Sequence, residues 1–382
     1  MDPLAEYKLT FASDFPGEAT KGRLFELTPE LEKWLTQSAD IQTDEEPVLE
    51  LRGLPDDQAV LCTADTSYEL RQINTSNSVL VVKMPSGSHN SLDSKLTVVD
   101  SLASHVELRA FTPRTHQILE LLESTRYRGA EYETLVLEGQ TLYTWEQLCT
   151  RVQLSNRELK EALFHNQAVL LDGYYRLLDP EYLLSVLQLI FTTVILEDLQ
   201  VDRIPVRVCV QSLAEHGIPE GVIVQTLRSF STDSSPRFDV DLDQVVAMDH
   251  AQVSRFYALQ LLTADKTQRW EKSRFEQVWR EAVPEVIDIR WENLKGCVLE
   301  EVGVYDQLPY LRYCPAESMH RDAPKCFQQL FQLKDRWGLE EMIPFIEHLA
   351  ETRKRLDALI LKYCRTSKAN GQTVYSSRAR TY

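Results

Sequence analysis

The spacing of apolar and polar residues changes once along this chain, between about residues 105 and 114. Ahead of that point apolar residues come in short β-branched runs, "PVLELRGL", "QAVLCTADTSYELRQI" and "NSVLVVKM", separated by clusters of Asp, Asn, Ser and Gly. That is the pattern of strands divided by turns. They are preceded by "RLFELTPELEKWL", a short apolar strand and then a helix start with Thr28 as N-cap and Pro29 in the first helical position. The strands are few for a self-contained barrel, and the last run leads into "PSGSHNSLDS", which reads as a flexible loop. An open sheet edge is a liability unless covered. Strands supplied by a partner, or closure of the small sheet on itself, would each cover it.

From Arg114 the period becomes helical, beginning with "THQILELLEST" and its stripe Ile118, Leu119, Leu121 and Leu122. In "YTWEQLCTRVQLSNRELKEALFHNQAVLLDGYYRLLD", Thr144 caps a helix through Val152 and Ser155 caps a second helix bearing Leu159, Leu163 and Phe164. Two strands then follow about an Asp172-Gly173 turn. Helix, turn, helix, hairpin is the order of a winged helix. "VRVCVQSLAEHGIPEGVIVQTLRSF" repeats the plan, with a turn at Gly217 and Pro219 at a helix start; "RFDVDLDQVVAMDHAQVSRFYALQLL" supplies a wing strand and a closing helix.

A looser third copy begins with "WEKSRFEQVWREAVP", a helix ended by Pro284. "DIRWENLKGCVLEEV" reads as a second helix running into a strand, and "PKCFQQLFQLKDRWGLEEMIPFIEHLA" as two more helices, Asp322 and Pro324 marking the first start. The expected fold class is α+β: a β-rich segment, 1–105, then three winged-helix segments, 106–200, 201–264 and 265–382. An irregular helical array would give similar stripes.

Composition narrows the class. A chain of 382 residues with 43% hydrophobic and 26% charged residues has the make-up of a folded, multi-domain protein. The stretch "MDPLAEYKLTFASDF" lacks the basic region and apolar core of a signal peptide. The longest apolar run, "YLLSVLQLIFTTVILEDL", is interrupted by Ser185, Gln188, Thr192 and Thr193 and falls short of the roughly 20 residues a bilayer needs, so it reads as a buried helix. The seven cysteines are odd in number and never closely paired, which suits buried free thiols in a reducing compartment better than disulfides or zinc.

Catalytic signatures are few. The chain carries neither G-x-x-x-x-G-K-[ST] nor G-x-G-x-x-G, so nucleotide hydrolysis is not expected, and neither His-Glu-x-x-His nor G-x-S-x-G. His116, His165, His216 and His348 are dispersed. Cys62, inside an apolar strand, fits a small core residue better than a nucleophile. Acidic pairs such as Asp56-Asp57, Glu300-Glu301 and Glu340-Glu341 fit a solvated face. No cofactor and no metal site are expected.

Charge supplies the one functional contrast. The net charge is −17, which would repel nucleic acid if spread evenly, so any DNA contact must be local. Trp337, Leu339, Met342, Phe345, Ile346 and Leu349 follow one helical face and read as core. Beyond them come Arg353, Lys354 and Arg355, and then "LDALILKYCR", whose Leu356, Leu359, Ile360 and Tyr363 turn inward and leave Lys362 and Arg365 outward. Lys368, Arg378 and Arg380 follow, the last two on "QTVYSSRAR", a wing strand by pattern. Helices and wings carrying Lys and Arg meet phosphate backbones. Cations complementing a helix C-terminus, with a solvated tail, would produce the same clustering.

The blocks "APKCFQQLFQLKDRWGLEEMIPFIEHLAETRKRLDALILKYCR" and "TVYSSR", with "FELTPEL" and "QAVLCTADTSYELRQINTSNSVLVV", bracket nearly the whole chain. In them the sequence resembles the family of the defective-in-sister-chromatid-cohesion subunit of the alternative, cohesion-linked clamp loader. The resemblance implies an N-terminal domain that completes a composite barrel with the small accessory subunit and the tail of the large ATPase subunit, followed by three winged helices. It implies a non-catalytic nuclear protein that attaches the loader to the leading-strand polymerase, epsilon, and to single- and double-stranded DNA, and meets the sliding clamp only indirectly. Carried over residue by residue, the family's basic positions fall on Lys362, Arg365 and Arg378. Thr366 and Ser367 stand where other members carry positive charge, which implies a weaker grip on DNA. A free-standing winged-helix transcription regulator and an undetected hydrolase are the competing readings.

Overall fold

The computed structural model describes residues 8–13, 15, 22–40, 49–83, 95–111, 116–233, 235–264, 269–303, 305–350, 352–369 and 371–378. Among them are thirteen α-helices and sixteen strands, several of only two residues, gathered into small sheets. The chain is α+β. It divides into two compact units, Met1–Leu178 with Ser235–Phe238, and Asp179–Ser234 with Asp239–Tyr382. The division at 105, 200 and 264 drawn from the sequence is a different one: the break after Leu178 falls inside the segment 106–200.

In the first unit a six-stranded sheet dominates. Its order runs Lys8–Phe11, Lys95–Ala110, Ser67–Lys83, Val60–Cys62, Glu50–Arg52, and Phe25–Glu26 also pairs with Lys95–Ala110. The two longest strands form an antiparallel pair whose register shifts between Asn74 and Val79 and between Val81 and Val82. Strand Lys95–Ala110 was missed in the sequence because Asp100, Ser101, Ser104 and His105 break its apolar alternation, and it continues past residue 105. The loop expected at "PSGSHNSLDS" lies outside the described residues. Helix Pro29–Asp40 starts as its sequence dictates: the Leu31 N–H donates to Thr28 Oγ1 at 3.3 Å and the Glu32 N–H to the Thr28 carbonyl at 2.9 Å. Leu31 is the centre of a small core with Leu61, Tyr68 and Leu108.

The helical part of this unit is built on two capping boxes. Thr144 caps Trp145–Arg151 and Ser155 caps Asn156–His165, each with the reciprocal side-chain bond from the third residue. The hairpin Ala168–Leu171/Tyr174–Leu177 turns through Asp172 (φ 50°) and Gly173 (φ 86°), the left-handed pair that a two-residue hairpin loop needs. Their shared core includes Ile118, Leu122, Leu148, Leu159, Leu163 and Leu177, with Phe238 packed against it.

A dense polar seam joins sheet and helices. The Ser67 hydroxyl donates to Glu158 Oε2, the carboxylate of the Ser155 capping box, and accepts the Ser155 N–H at 2.7 Å. Buried Arg52 donates to Glu50, the Leu154 carbonyl and Asn156, so its charge is neutralised and its fork is occupied.

In the second unit the long apolar helix Pro180–Leu196, capped by Asp179, packs on helices Val206–Leu213 and Glu220–Ser229. Gly217 takes φ 65° at the turn between them, and Pro219 stands at the helix start as expected, as its N-cap. The wing strand expected in "RFDVDLDQVVAMDHAQVSRFYALQLL" is short, Val245–Val246, and helix His250–Ala264 follows it. Val245–Val246 pairs with Ile204–Pro205, and Met248 bridges to Ser231. Asp241 accepts the N–H of Asp243 at 3.0 Å and the Asp239 carbonyl accepts from Arg228, so that stretch spends its polar groups on local turns.

Two three-stranded sheets follow: Arg269–Glu271, Pro309–Tyr313, Val298–Val302 in that order, and Trp337–Gly338, Gln372–Ser377, Cys364–Ala369. Residues Trp291–Leu294 form a single 3-10 turn where a helix was expected. No side chain caps their start, and they run into Gly296 at φ 74°, where an added Cβ would meet Pro344 at 3.1 Å. Trp337 lies on a strand rather than in the following helix; its indole N–H donates to the carbonyls of Leu330 and Lys334. The core gathers Trp337, Met342, Phe345, Ile346, Leu356 and Ile360 with Leu299, Cys326, Phe327 and Leu330. Among the described residues no helix is long and apolar enough to cross a membrane.

Candidate nucleic-acid interface

The C-terminal cations sit on one helix and the hairpin that follows it. Thr352 caps helix Arg353–Tyr363 by accepting the Arg355 N–H at 3.4 Å. Inward-facing Leu356 and Ile360 are buried and Leu359 and Tyr363 half-buried, which fixes the opposite face, with Lys354 and Lys362, toward solvent. The strand Cys364–Ala369 leaves the helix at once and returns as Gln372–Ser377, Arg365 pairing with Ser376 and Lys368 with Thr373. Arg365 is thus a strand residue, not the last outward position of the helix.

Arg378 ties the two elements together. Its N–H donates to the Tyr363 carbonyl at 2.9 Å and its guanidinium to the Leu361 carbonyl at 2.8 Å, while Cys364 N–H takes the Ile360 carbonyl. Carbonyls that a helix C-terminus leaves unsatisfied are thereby filled, two of them by one residue. The Arg378 carbonyl in turn accepts from Arg365 at 3.2 Å. For Arg378, then, the helix-end role is realised, and its outer edge faces solvent besides. Lys362 extends over the Tyr363 ring, 5.1 Å from its centroid.

Lys354, Lys362, Arg365, Lys368 and Arg378 are all exposed, and among the described residues none of these five pairs with a carboxylate. Arg353, by contrast, bridges to Asp357 at 3.0 Å. Arg380 lies outside the described residues. Elsewhere in the same unit, a cleft of about 490 Å³ lined by Trp291, Leu311 and Pro344 holds lysines already neutralised, Lys272 by Glu300 and Lys334 by Glu341, each at 2.6 Å. Uncompensated cations raise the local potential; paired ones do not.

The sheet of the first unit offers a different surface. Val79, Leu80, Val81 and Val82 are 45, 41, 37 and 38% exposed. Successive strand residues point to opposite faces, so four exposed in a row mean that neither face of this arm is covered by the described residues. Phe11 and Leu51 are exposed on other strands of the same sheet. Close by, Glu26, His105 and Glu107 bring their polar atoms within 4.8 Å of one another, with Glu26 3.4 Å from His105 and Glu107 3.1 Å from Arg109. The Glu26–His105 contact crosses neighbouring strands and the Glu107–Arg109 pair lies within one strand, which accounts for that cluster.

Cys62 is buried and hydrogen-bonds Ser67; burial raises its thiol pKa, which disfavours the thiolate a nucleophile needs. The seam through Ser67, Arg52 and Glu158 had no signal in the sequence, since its partners stand far apart along the chain.

Fold and surfaces together define an α+β protein assembled from small helix–sheet sets, with an apolar arm on its sheet and an uncompensated cationic face near its C-terminus. The chain belongs to the family described as sister chromatid cohesion protein Dcc1, whose model matches residues 23–346. It is 30% identical to sister chromatid cohesion protein DCC1 of Xenopus tropicalis over 97% of this chain and 92% of that protein. Identity to the human DCC1 is 27%, over 91% and 87%, and to the probable DCC1 of Dictyostelium discoideum 25%, over 94% and 93%.

Proposed function

We propose that this protein acts in sister chromatid cohesion as a non-catalytic, nuclear subunit of an alternative clamp loader, linking the loader to the leading-strand polymerase, epsilon, and to DNA. Its sheet, residues 1–105 in the sequence division, completes a composite barrel with the small accessory subunit and the large ATPase subunit, and through them it serves the sliding clamp. Segments 106–200, 201–264 and 265–382 are winged-helix domains in this reading. The helix, turn, helix, hairpin succession of residues 145–177 supports it. So does the same order, helix Arg353–Tyr363 followed by a hairpin, at the C-terminus.

The observation that carries the DNA part is the set of uncompensated cations, Lys354, Lys362, Arg365, Lys368 and Arg378, on a protein of net charge −17. Arg380 belongs to the same proposal from its sequence position. With so few phosphate contacts the affinity is modest and falls steeply with salt, for single and double strands alike. Assembly with other subunits then supplies the remainder through multivalency.

The transcription-regulator reading is not favoured. In the best-formed helix–hairpin set the cations of helix Asn156–His165 are engaged within the protein: Arg157 bridges to Glu161 at 3.0 Å and Lys160 lies 5.6 Å from the Trp145 ring centroid. The decisive experiment is co-expression with the large ATPase and small accessory subunits, followed by mass measurement of the purified complex. A stable three-chain species is expected; recovery of this chain by itself as a monomer would end the clamp-loader reading.

A further inference from the structure

We propose that Leu361 is a nonpolar DNA contact, packing on deoxyribose and base edges between the phosphates that Lys354 and Lys362 hold. The inference rests on the DNA reading above and adds to it a residue that no charge argument selects.

Leu361 is 71% exposed, in the last turn of a helix whose other large apolar residues are turned inward. Its backbone is fixed in place. Its carbonyl is held by the Arg378 guanidinium at 2.8 Å, and its neighbour Ile360 is 5% exposed in the core. Positions 354, 358, 361 and 362 share one helical face. On that face Ala358 is small and exposed, so a shallow nonpolar strip of Ala358 and Leu361 is flanked by Lys354 and Lys362, and the one carboxylate beside it, Asp357, is taken up by Arg353. A protein partner binding this strip would have to bring compensating acid to cations on both sides. DNA brings both parts at its natural spacing: phosphates at the rim, and sugar and base edges, including the thymine methyl, between them.

The two components separate by salt. Phosphate neutralisation releases counterions and sets the slope of log K against log[salt]; nonpolar packing releases none. Leu361→Ser therefore weakens binding without changing the slope, whereas Lys362→Ala changes the slope.

The test is fluorescence anisotropy of the full-length chain on a labelled duplex across a salt series, comparing wild type, Leu361→Ser, Leu361→Met and Lys362→Ala. The expected result is roughly three- to tenfold weaker binding for Leu361→Ser at every salt concentration. Its slope should match wild type, Leu361→Met should restore affinity, and Lys362→Ala should lower the slope by about 0.9. Because Leu361 is mostly exposed, the melting temperature should stay at the wild-type value, which separates loss of contact from loss of fold. Unchanged affinity for Leu361→Ser, or a slope that falls with it, overturns this inference while leaving the cationic face standing. No salt-dependent binding by the wild type overturns both.

Discussion

The sheet of the first unit and the C-terminal helix–hairpin set solve the same problem of burial in opposite ways. The C-terminal set places Trp337, Met342, Phe345, Ile346, Leu356 and Ile360 in a core that also takes in Phe327 and Leu330, and presents lysine and arginine outward. Among the described residues the sheet gathers a smaller cluster, Leu31, Leu61, Tyr68 and Leu108, with Val60, Val98 and Val106 also buried, and leaves Val79 to Val82 uncovered on both faces. Solvent-exposed apolar strand is costly at about 25 cal/mol per Å² and prone to pair with another chain. Exposed cations on a well-packed support cost little and attract a polyanion. The first surface is therefore suited to a permanent protein neighbour and the second to a reversible, salt-sensitive one.

Breaking the apolar arm should have the largest effect. Val79→Asp with Val81→Asp places two charges on an arm that the proposed composite barrel would bury, and recovery of the accessory subunit in pull-downs should fall by roughly a thousandfold or more, given several kcal/mol per buried unpaired charge. DNA binding by the isolated chain should be unchanged; loss of both together would show that the two surfaces are not independent.

The cationic face comes next. Lys362→Ala, Arg365→Ala and Arg378→Ala combined should flatten the salt slope by roughly 2 to 3 and weaken binding at low salt without regard to DNA sequence. Assembly should persist. Of the three, Arg378→Ala by itself should also lower thermal stability by roughly 1 kcal/mol, because its guanidinium fills a helix-end carbonyl.

A smaller effect sharpens the comparison through pH. Burial pushes the thiols of Cys209, Cys297 and Cys326 from near 9 up to about 11 and that of Cys364 to about 12, all in the second unit. A thiol with a raised folded-state pKa contributes stability that is complete below the unfolded value and lost as pH rises through the folded one. Between pH 8 and 10.5 the second unit should lose about 1–2 kcal/mol for each such thiol. Urea denaturation at the two pH values should show it, and Cys364→Ala should shrink the difference.

What could be read from sequence follows from how local the determinants are. Thr28, Thr144 and Ser155 announce helix starts because a cap bonds only to residues two or three further on, and Asp172-Gly173 announces its hairpin because the turn needs left-handed backbone at both positions. The cations of the C-terminal helix could be placed outward because Leu356 and Ile360 fix the inward face. Non-local determinants stayed hidden. Strand Lys95–Ala110 is specified by pairing with Ser67–Lys83 more than by its own alternation. Gly296 and the single 3-10 turn before it are shaped by Pro344 from a later helix. Leu361 was not among the inward positions that the spacing named, Leu356, Leu359, Ile360 and Tyr363, but nothing in the sequence marked it as a surface of its own; the folded helix leaves it 71% exposed.

Ser67 reaches from the sheet into the Ser155–Glu158 capping box, lending a hydroxyl to a motif that ordinarily closes within four consecutive residues. The start of helix Asn156–His165 is therefore finished by a residue made nearly ninety positions earlier in synthesis. During translation Ser67 is made well before the helix, so the sheet residue is at hand when the capping box of the same unit closes. A truncation beginning after Ser67 would release Glu158 and Arg52's partners at once, leaving a helical fragment with a frayed leading turn.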